Sequence, residues 1–360
     1  MIKRILYIVN LSLVLLLLLA WLGSFVSPNI YDKLSLLTYA YPILFIINFF
    51  YCILWLFVKI RFVIVPLLAL LLQINNIPLI ANFSKDSTHI FQKENITTFA
   101  DKQTKNEQSQ TTLNFASYNV CGFLYKADQT NSPFDSILAL LQRYDIDVVA
   151  MQDFPRISPK HRWHKQLVAS GYKYFFSHDL SRNIIDKSVI YSKYPIGKTG
   201  GLLAWADEPD EFIFADIRKG NKEFRIYNLH LESYLFSEEE KDLSKVKDGD
   251  GIIKKLLTAN KSRAKEVDAL SELISQCQKP FLVVGDFNDT PFSYAYRKLS
   301  KQMTDCFVKK GNGFGTTYDQ LLIPFRIDYV LTSKDFTTLA YDTPKADHSD
   351  HLPVFVVLKL

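Results

Sequence analysis

Three long apolar runs fill the first 81 residues, and they constrain the chain more than any other feature. They cover 5–26, 39–58 and 62–81. Each is about 20 residues, the length that crosses a hydrocarbon core at about 1.5 Å per residue. The only charges in this stretch are Lys3, Arg4, Lys33, Lys59, Arg61 and Asp32, a net of 5 − 1 = +4. A cleaved secretory leader needs a short apolar core and a small-residue cleavage site. The first run is too long for that, and two more follow it. Residues 1–81 are therefore expected to form a membrane region of three transmembrane helices. The third run is the weakest, because Gln73-Ile-Asn-Asn-Ile-Pro78 is polar; a re-entrant or surface segment is the alternative there.

Lys and Arg mark the cytoplasmic side of membrane helices. Lys3 and Arg4 precede the first run, Lys59 and Arg61 separate the second from the third, and only Lys33 lies between the first two. An inside N-terminus places both pairs in the cytoplasm. Three crossings then put everything after residue 82 outside it. The expectation is a multi-pass integral membrane protein of the cell membrane with an extracytoplasmic C-terminal domain. It reverses if the third run does not span.

Residues 82–113 are rich in Ser, Thr, Asn, Gln and Lys and read as a polar, solvated linker. Asn82-Phe-Ser and Asn95-Ile-Thr fit the glycosylation pattern, a short and common match. From Asn114 onward there are 33 Lys+Arg and 32 Asp+Glu, a net of +1. That balance argues against a strongly basic nucleic-acid-binding domain. The four cysteines, Cys52, Cys121, Cys277 and Cys306, form no CxxC and no disulfide framework.

Residues 114–360 form one domain long enough for a large core. Short Val/Ile/Phe/Tyr runs bounded by Gly, Pro or Asp predict strands at 113–120, 148–152, 188–191, 211–217, 224–231, 281–285, 327–331 and 354–358. Helices are predicted at 133–144, 158–170, 258–276 and 293–299. Such alternation without a Gly-rich phosphate loop points to a layered α/β fold. The charged stretch 237–251 reads as a surface loop; its Asp248-Gly-Asp250-Gly opens like a calcium loop but lacks the later ligands. Lys254, Lys255, Lys261, Arg263 and Lys265 read as a solvated helix face.

Polar residues stand at the ends of several apolar strands, where a sheet rim holds side chains rigidly. Asn119 precedes a turn at Gly122, and is either a turn asparagine or a phosphate or carboxylate contact. Asp153 follows a largely apolar run, where an unpaired carboxylate is costly to bury. His230 interrupts another apolar run and is either a hydrogen-bonded core residue or a site residue. In Phe281-Leu-Val-Val-Gly285-Asp286-Phe287-Asn288, Gly285 permits a sharp exit, and Asp286 and Asn288 point the same way on extended backbone. Such a pair can converge on a phosphate and its attacking water. Asp350 can ligate a cation, and His351 with Asp328 can divide labour as a His–Asp acid/base pair. Asp347, His348, Asp350 and His351 also admit a zinc reading, or a plain solvated tail, but no partner cluster has zinc spacing.

These pieces, in this order, resemble the endonuclease/exonuclease/phosphatase (DNase-I-like) superfamily. The matching segments are Tyr118-Asn119, Gln152-Asp153, Ser188-Val-Ile-Tyr-Ser-Lys-Tyr-Pro195-Ile, Asn228-Leu-His230-Leu, Gly285-Asp-Phe-Asn288, Arg326-Ile-Asp328-Tyr-Val-Leu and Ser349-Asp350-His351. The resemblance implies a four-layer α/β sandwich, two mixed sheets flanked by helices. It implies hydrolysis of a phosphoester with Mg²⁺ or Mn²⁺. Asn119, Asp153 and Asp350 would sit at the metal. Asp286 would orient or deprotonate the attacking water, and Asn288 would help hold the phosphate. His230 would stabilise phosphoryl charge or assist the leaving group, and His351 with Asp328 would act as acid/base or bind the phosphoryl oxygen. One departure stands out: the family usually has Gln-Glu where this chain has Gln152-Asp153.

The substrate class stays open between nucleic acid, phospholipid and a small phosphodiester, because fold does not choose it. The bilayer is an expected partner; no stable protein partner is implied. Two other readings remain: a membrane-tethered binding module that kept the fold and lost turnover, and an accessory subunit of a membrane complex. The spans carry few small residues for the latter.

Overall fold

The computed structural model describes residues 1–84, 111–126, 132–155, 160–177, 186–202, 212–234, 236, 249–318, 320 and 324–360. Most of the linker expected over 82–113, the match at Asn95 and most of the loop expected over 237–251 lie outside the described residues.

Fourteen strands are described: β1 (Asn82–Phe83), β2 (Thr112–Asn119), β3 (Val148–Pro155), β4 (Tyr174–Ser177), β5 (Asp186–Ser192), β6 (Ile196–Leu202), β7 (Phe212–Lys219), β8 (Lys222–His230), β9 (Phe281–Asp286), β10 (Thr304–Asp305), β11 (Asn312–Gly313), β12 (Asp328–Thr332), β13 (Thr337–Asp342) and β14 (Val354–Lys359). Two six-stranded sheets run in the orders β13-β14-β2-β3-β5-β4 and β10-β12-β9-β8-β7-β6. Each is mixed: β2 and β3 are parallel in the first, β8 and β9 in the second, and the other pairs are antiparallel.

Strand alternation sorts the side chains into layers. Phe115, Val148, Ile190, Ile226, Leu282 and Val284 point between the sheets into one shared core. The residues next to them face outward. Ala116, Val149 and Met151 meet Phe134, Ile137 and Leu141 of the helix Pro133–Arg143. Tyr227 and Val283 meet Val267, Leu270 and Ile274 of the helix Gly249–Ser275. Helix, sheet, sheet and helix therefore stack as expected. The helix predicted over 258–276 starts earlier, at Gly249. Ser132 caps Pro133–Arg143 by accepting from the Phe134 N–H, with Pro133 at the first helical position.

The N-terminal region is a small helical bundle. Ile2–Gly23 and Lys33–Val58 are long and apolar enough to cross a membrane. The third run is a broken pair, Ile60–Leu72 and Ile74–Ile80, bent by 55°. Leu17, Ala20, Tyr41, Leu44 and Leu70 form the bundle core. Within it Asn10 Nδ2 donates to Asn48 Oδ1 at 3.1 Å and Trp55 Nε1 donates to Asn10 Oδ1 at 2.9 Å. Outward-facing side chains such as Ile8, Leu15, Phe50 and Leu68 are apolar and exposed. Lys3 Nζ donates to the Val58 carbonyl, so the two Lys/Arg clusters share one end of the bundle.

The opposite end is docked on the sandwich. Tyr41 stacks on Phe292, ring centroids 4.4 Å apart. Tyr39 Oη donates to Asn260 Oδ1 at 2.7 Å and shares a hydrogen bond with Tyr234 Oη. Asn260 Nδ2 donates to Ser35 Oγ, and Lys261 pairs with Asp32 at 2.6 Å. Asn82 Nδ2 donates to the Phe307 and Val308 carbonyls, and β1 pairs with β11.

Candidate active site at one rim of the sandwich

β2, β3, β8 and β9 all end at the same rim, because each sheet contributes a parallel pair in matched register. Asn119 stands beside Gln152, and His230 beside Asp286, which antiparallel β12 sets opposite Asp328. Gly285 makes this close fit possible. Its φ is +127°, and a Cβ there would lie 2.0 Å from the Leu229 carbonyl oxygen. No other residue tolerates both the angle and the approach.

Asp286 Oδ2 is the meeting point. Asn119 Nδ2 donates to it at 3.0 Å. His230 Nε2 and His351 Nε2 lie 3.7 and 3.6 Å away. Its other oxygen accepts from the Asn288 N–H at 2.8 Å, an Asx turn that sets Asn288 at φ +49°. Asn288 Nδ2 donates to the Leu231 carbonyl, which fixes the amide over the exit of β8. His351 Nδ1 faces Asp328 Oδ2 at 2.9 Å. The Asp328 N–H donates to Thr317 Oγ1.

Asp153 approaches from the other sheet. The β3–β5 register shifts between Met151 and Phe154, and this bulge holds Asp153 at φ +48°. Bulges re-aim side chains at sheet rims; here Asp153 Oδ1 lies 3.2 Å from His230 Nδ1. Gln152 Nε2 crosses between the sheets to Asn228 Oδ1 at 2.6 Å. Ser349 Oγ donates to the Asn119 carbonyl and lies 3.3 Å from Asp350 Oδ1. The eight candidate residues from five strands and two loops thus converge on one rim.

Asp286, Asp328 and His351 each offer a ligand atom within 4.8 Å of the others. This cluster shares no residue with the set expected to hold a metal, Asn119, Asp153 and Asp350. Burial opposes a charge on His351, but Asp328 and Asp286 outweigh it and raise the imidazole to about 10. Burial pushes the Asp328 carboxyl up while His351 pulls it down. The pair is held as an imidazolium beside acids, able to donate from Nε2.

Two contributors carry no motif of their own. Thr317 sits in a loop, and its role follows only from the bonds to Ile327 and Asp328 N–H. Arg263, expected on a solvated face, is fully buried. It pairs with Asp289 at 3.2 Å, donates to the Glu232 carbonyl at 2.6 Å and also donates to Asn260 Oδ1. A signal was present: Arg263 precedes Val267, Leu270 and Ile274 at the 4-3-4 spacing of the buried stripe.

Comparison with known proteins agrees with this geometry. The model of the Endonuclease/Exonuclease/phosphatase family matches residues 116–351. Residues 3–79 match a domain of unknown function (DUF8431). An endonuclease/exonuclease/phosphatase structure from Beutenbergia cavernae DSM 12333 superposes with TM-score 0.51 at 17% identity, over 69% of this chain and 72% of that one. A family protein from Leptotrichia buccalis C-1013-b gives 0.50 at 15% identity, over 69% and 100%. At such identities the likeness is one of fold. No curated protein matches the chain.

Proposed function

Because the chain belongs to the endonuclease/exonuclease/phosphatase family, we propose that it is a divalent-metal-dependent phosphoester hydrolase, anchored in the membrane by residues 1–81 with the domain 114–360 outside the cytoplasm. The observation that carries the hydrolase reading is the convergence of Asn119, His230 and His351 on Asp286 Oδ2.

The residues suit Mg²⁺ or Mn²⁺. The donors are mostly carboxylate and amide oxygens, the ligands hard cations take. Asp328 Oδ1 is buried inside this acidic cluster with no hydrogen-bond partner among the described residues. Asn119, Asp153 and Asp350 would hold the ion, with Asp286, Asp328 and His351 as the competing set. When bound, the ion supplies charge neutralisation at the phosphoryl oxygens. Asp286, fixed by Asn119 and the Asn288 N–H, orients the attacking water and takes its proton. His230, steadied by Asp153, stabilises phosphoryl charge. His351, kept protonated by Asp328, donates to a phosphoryl or leaving oxygen, and Asn288 positions the phosphate.

The membrane reading is supported by the outer face of the bundle, which is apolar where a soluble helical domain would be polar, and by the hydrogen bonds among Asn10, Asn48 and Trp55 inside it. The Lys/Arg clusters at one end and the docked sandwich at the other agree with the orientation drawn from positive charge.

The test is hydrolysis of bis(p-nitrophenyl) phosphate by the full chain in detergent. Turnover with Mg²⁺ or Mn²⁺, lost in chelator and in Asp286→Ala, is expected. Metal binding with no turnover of any phosphoester would instead establish a binding module.

A further inference from the structure

The rim that carries the site is also the rim seated on the N-terminal bundle. Three segments join the two. After β9, Asn288 lies in the site and Phe292 in the bundle core. After β8, His230 lies in the site and Tyr234 bonds Tyr39. After β11, Gly313 pairs with Asn82 just beyond the third apolar segment, and Thr317 and Tyr318 reach Asp328 and His351. Each path is four or five residues, so at full extension the site lies no more than about 18 Å from the residues that touch the N-terminal region. A head-group layer is itself about 6 Å deep on each side of the hydrocarbon.

Two further features belong at such a surface. Phe83 and Phe314 are 78% and 71% exposed and stand on or beside the β1–β11 pair. Aromatic side chains favour the membrane–water interface. The first part of the helix Gly249–Ser275 carries Ile252, Ile253, Lys254, Leu256 and Leu257, of which Ile253 and Lys254 are exposed and the other three half-buried. It runs into Asn260 and Lys261, which bond Ser35 at the start of the second apolar helix and Asp32 just before it. Apolar and Lys residues together are the composition of a segment that lies on lipid.

We propose that the substrate is the phosphoester of a lipid in the same bilayer, its head group reaching the rim between the bundle and the strand ends. This rests on the membrane-anchored hydrolase reading above. A nucleic acid would need a basic face along its track, and residues 114–360 carry a net charge of only +1.

The experiment uses the full chain in liposomes, each containing one of phosphatidylcholine, phosphatidylethanolamine, phosphatidylglycerol, phosphatidic acid or sphingomyelin, with Mg²⁺. Release of head group or phosphate is followed by mass spectrometry. Bis(p-nitrophenyl) phosphate and single- and double-stranded oligonucleotides serve as soluble substrates. At least one bilayer lipid should turn over about 100-fold faster than any oligonucleotide. The double variant Phe83→Ser/Phe314→Ser should lose about tenfold on that lipid and nothing on bis(p-nitrophenyl) phosphate. Turnover of the soluble phosphodiester with no lipid hydrolysed, or with oligonucleotides preferred, overturns the lipid assignment and leaves the hydrolase reading standing. Failure on every substrate overturns both.

Discussion

Arg263, on the helix Gly249–Ser275, holds Asp289 at 3.2 Å on the loop that follows Asp286 and Asn288, and both side chains are shut off from water. Breaking one partner of a buried pair strands the other charge, at a cost of about 3–5 kcal/mol. Arg263→Ala should therefore lower unfolding free energy by about that amount. Asp289→Ala should do likewise, and Arg263→Met/Asp289→Leu should cost less than the two single changes together. Urea or thermal unfolding in detergent checks this; additive losses would show that the two residues are not coupled.

Gly285 offers a second test. Its φ of +127° and the 2.0 Å approach to the Leu229 oxygen leave no room for any side chain. Gly285→Ala should push β9 off β8 and carry Asp286 away from Asn119 and His230. Backbone strain alone costs about 1–3 kcal/mol. Hydrolysis should drop at least 100-fold even where the protein still folds, a drop read by steady-state rates on soluble folded material. Wild-type rates would show that Asp286 does not depend on this register.

The site was legible because its signals are local. A strand ends, a glycine lets the chain exit, and an acid or amide follows, as at Gly285-Asp286. Those cues survive in sequence because strand period and turn chemistry act over a few residues. β4, β6, β13 and the two-residue strands β1, β10 and β11 were not expected. β6 contains Gly200 and Gly201 and stands at a sheet edge; a Cβ on Gly200 would meet the Phe214 ring at 2.5 Å. Tertiary contact, not β propensity, makes it a strand. Arg263 was misplaced on the surface because its neighbours Lys261 and Lys265 are basic, and its partner Asp289 is distant in sequence. The docking of Tyr39 and Tyr41 on the sandwich has no sequence signature, since it depends on two surfaces meeting. The third apolar run, expected to span like the other two, is instead a bent pair broken at Gln73, within the polar stretch that made it the weakest of the three.

Asp153 stands where the family usually has Glu, and its carboxylate lies 3.2 Å from His230 Nδ1. If it holds the metal, Asp153→Ala should weaken Mn²⁺ binding by at least about tenfold and abolish turnover, whereas Asp153→Glu should keep or raise both. Calorimetric titration with Mn²⁺ separates the two ligand sets. Should Asp328→Asn weaken binding while Asp153→Ala leaves it intact, the ion belongs to Asp286, Asp328 and His351 instead.

The His351–Asp328 pair predicts a pH dependence of the metal-free protein. The folded imidazole is raised to about 10, against about 6.5 when unfolded. Between those values the folded state keeps a proton that the unfolded state has lost, so stability falls as pH rises. The contribution is complete below about pH 6.5 and gone above about pH 10. Burial raises Asp328 to about 6, so it is ionised in both states only from about pH 7 upward, and over the range from pH 7 to 10.5 it adds little slope of its own. In chelator, the melting temperature should decline from pH 7 to 10.5, and Asp328→Asn should make that decline shallower, because it removes the main charge raising the imidazole. Asp328 is also among the charges that raise Tyr118 and Tyr341, but burial is the larger cause and keeps both phenols protonated through the window, so the difference between the two curves reports on His351. Parallel curves would show that Asp328 does not hold the proton on His351.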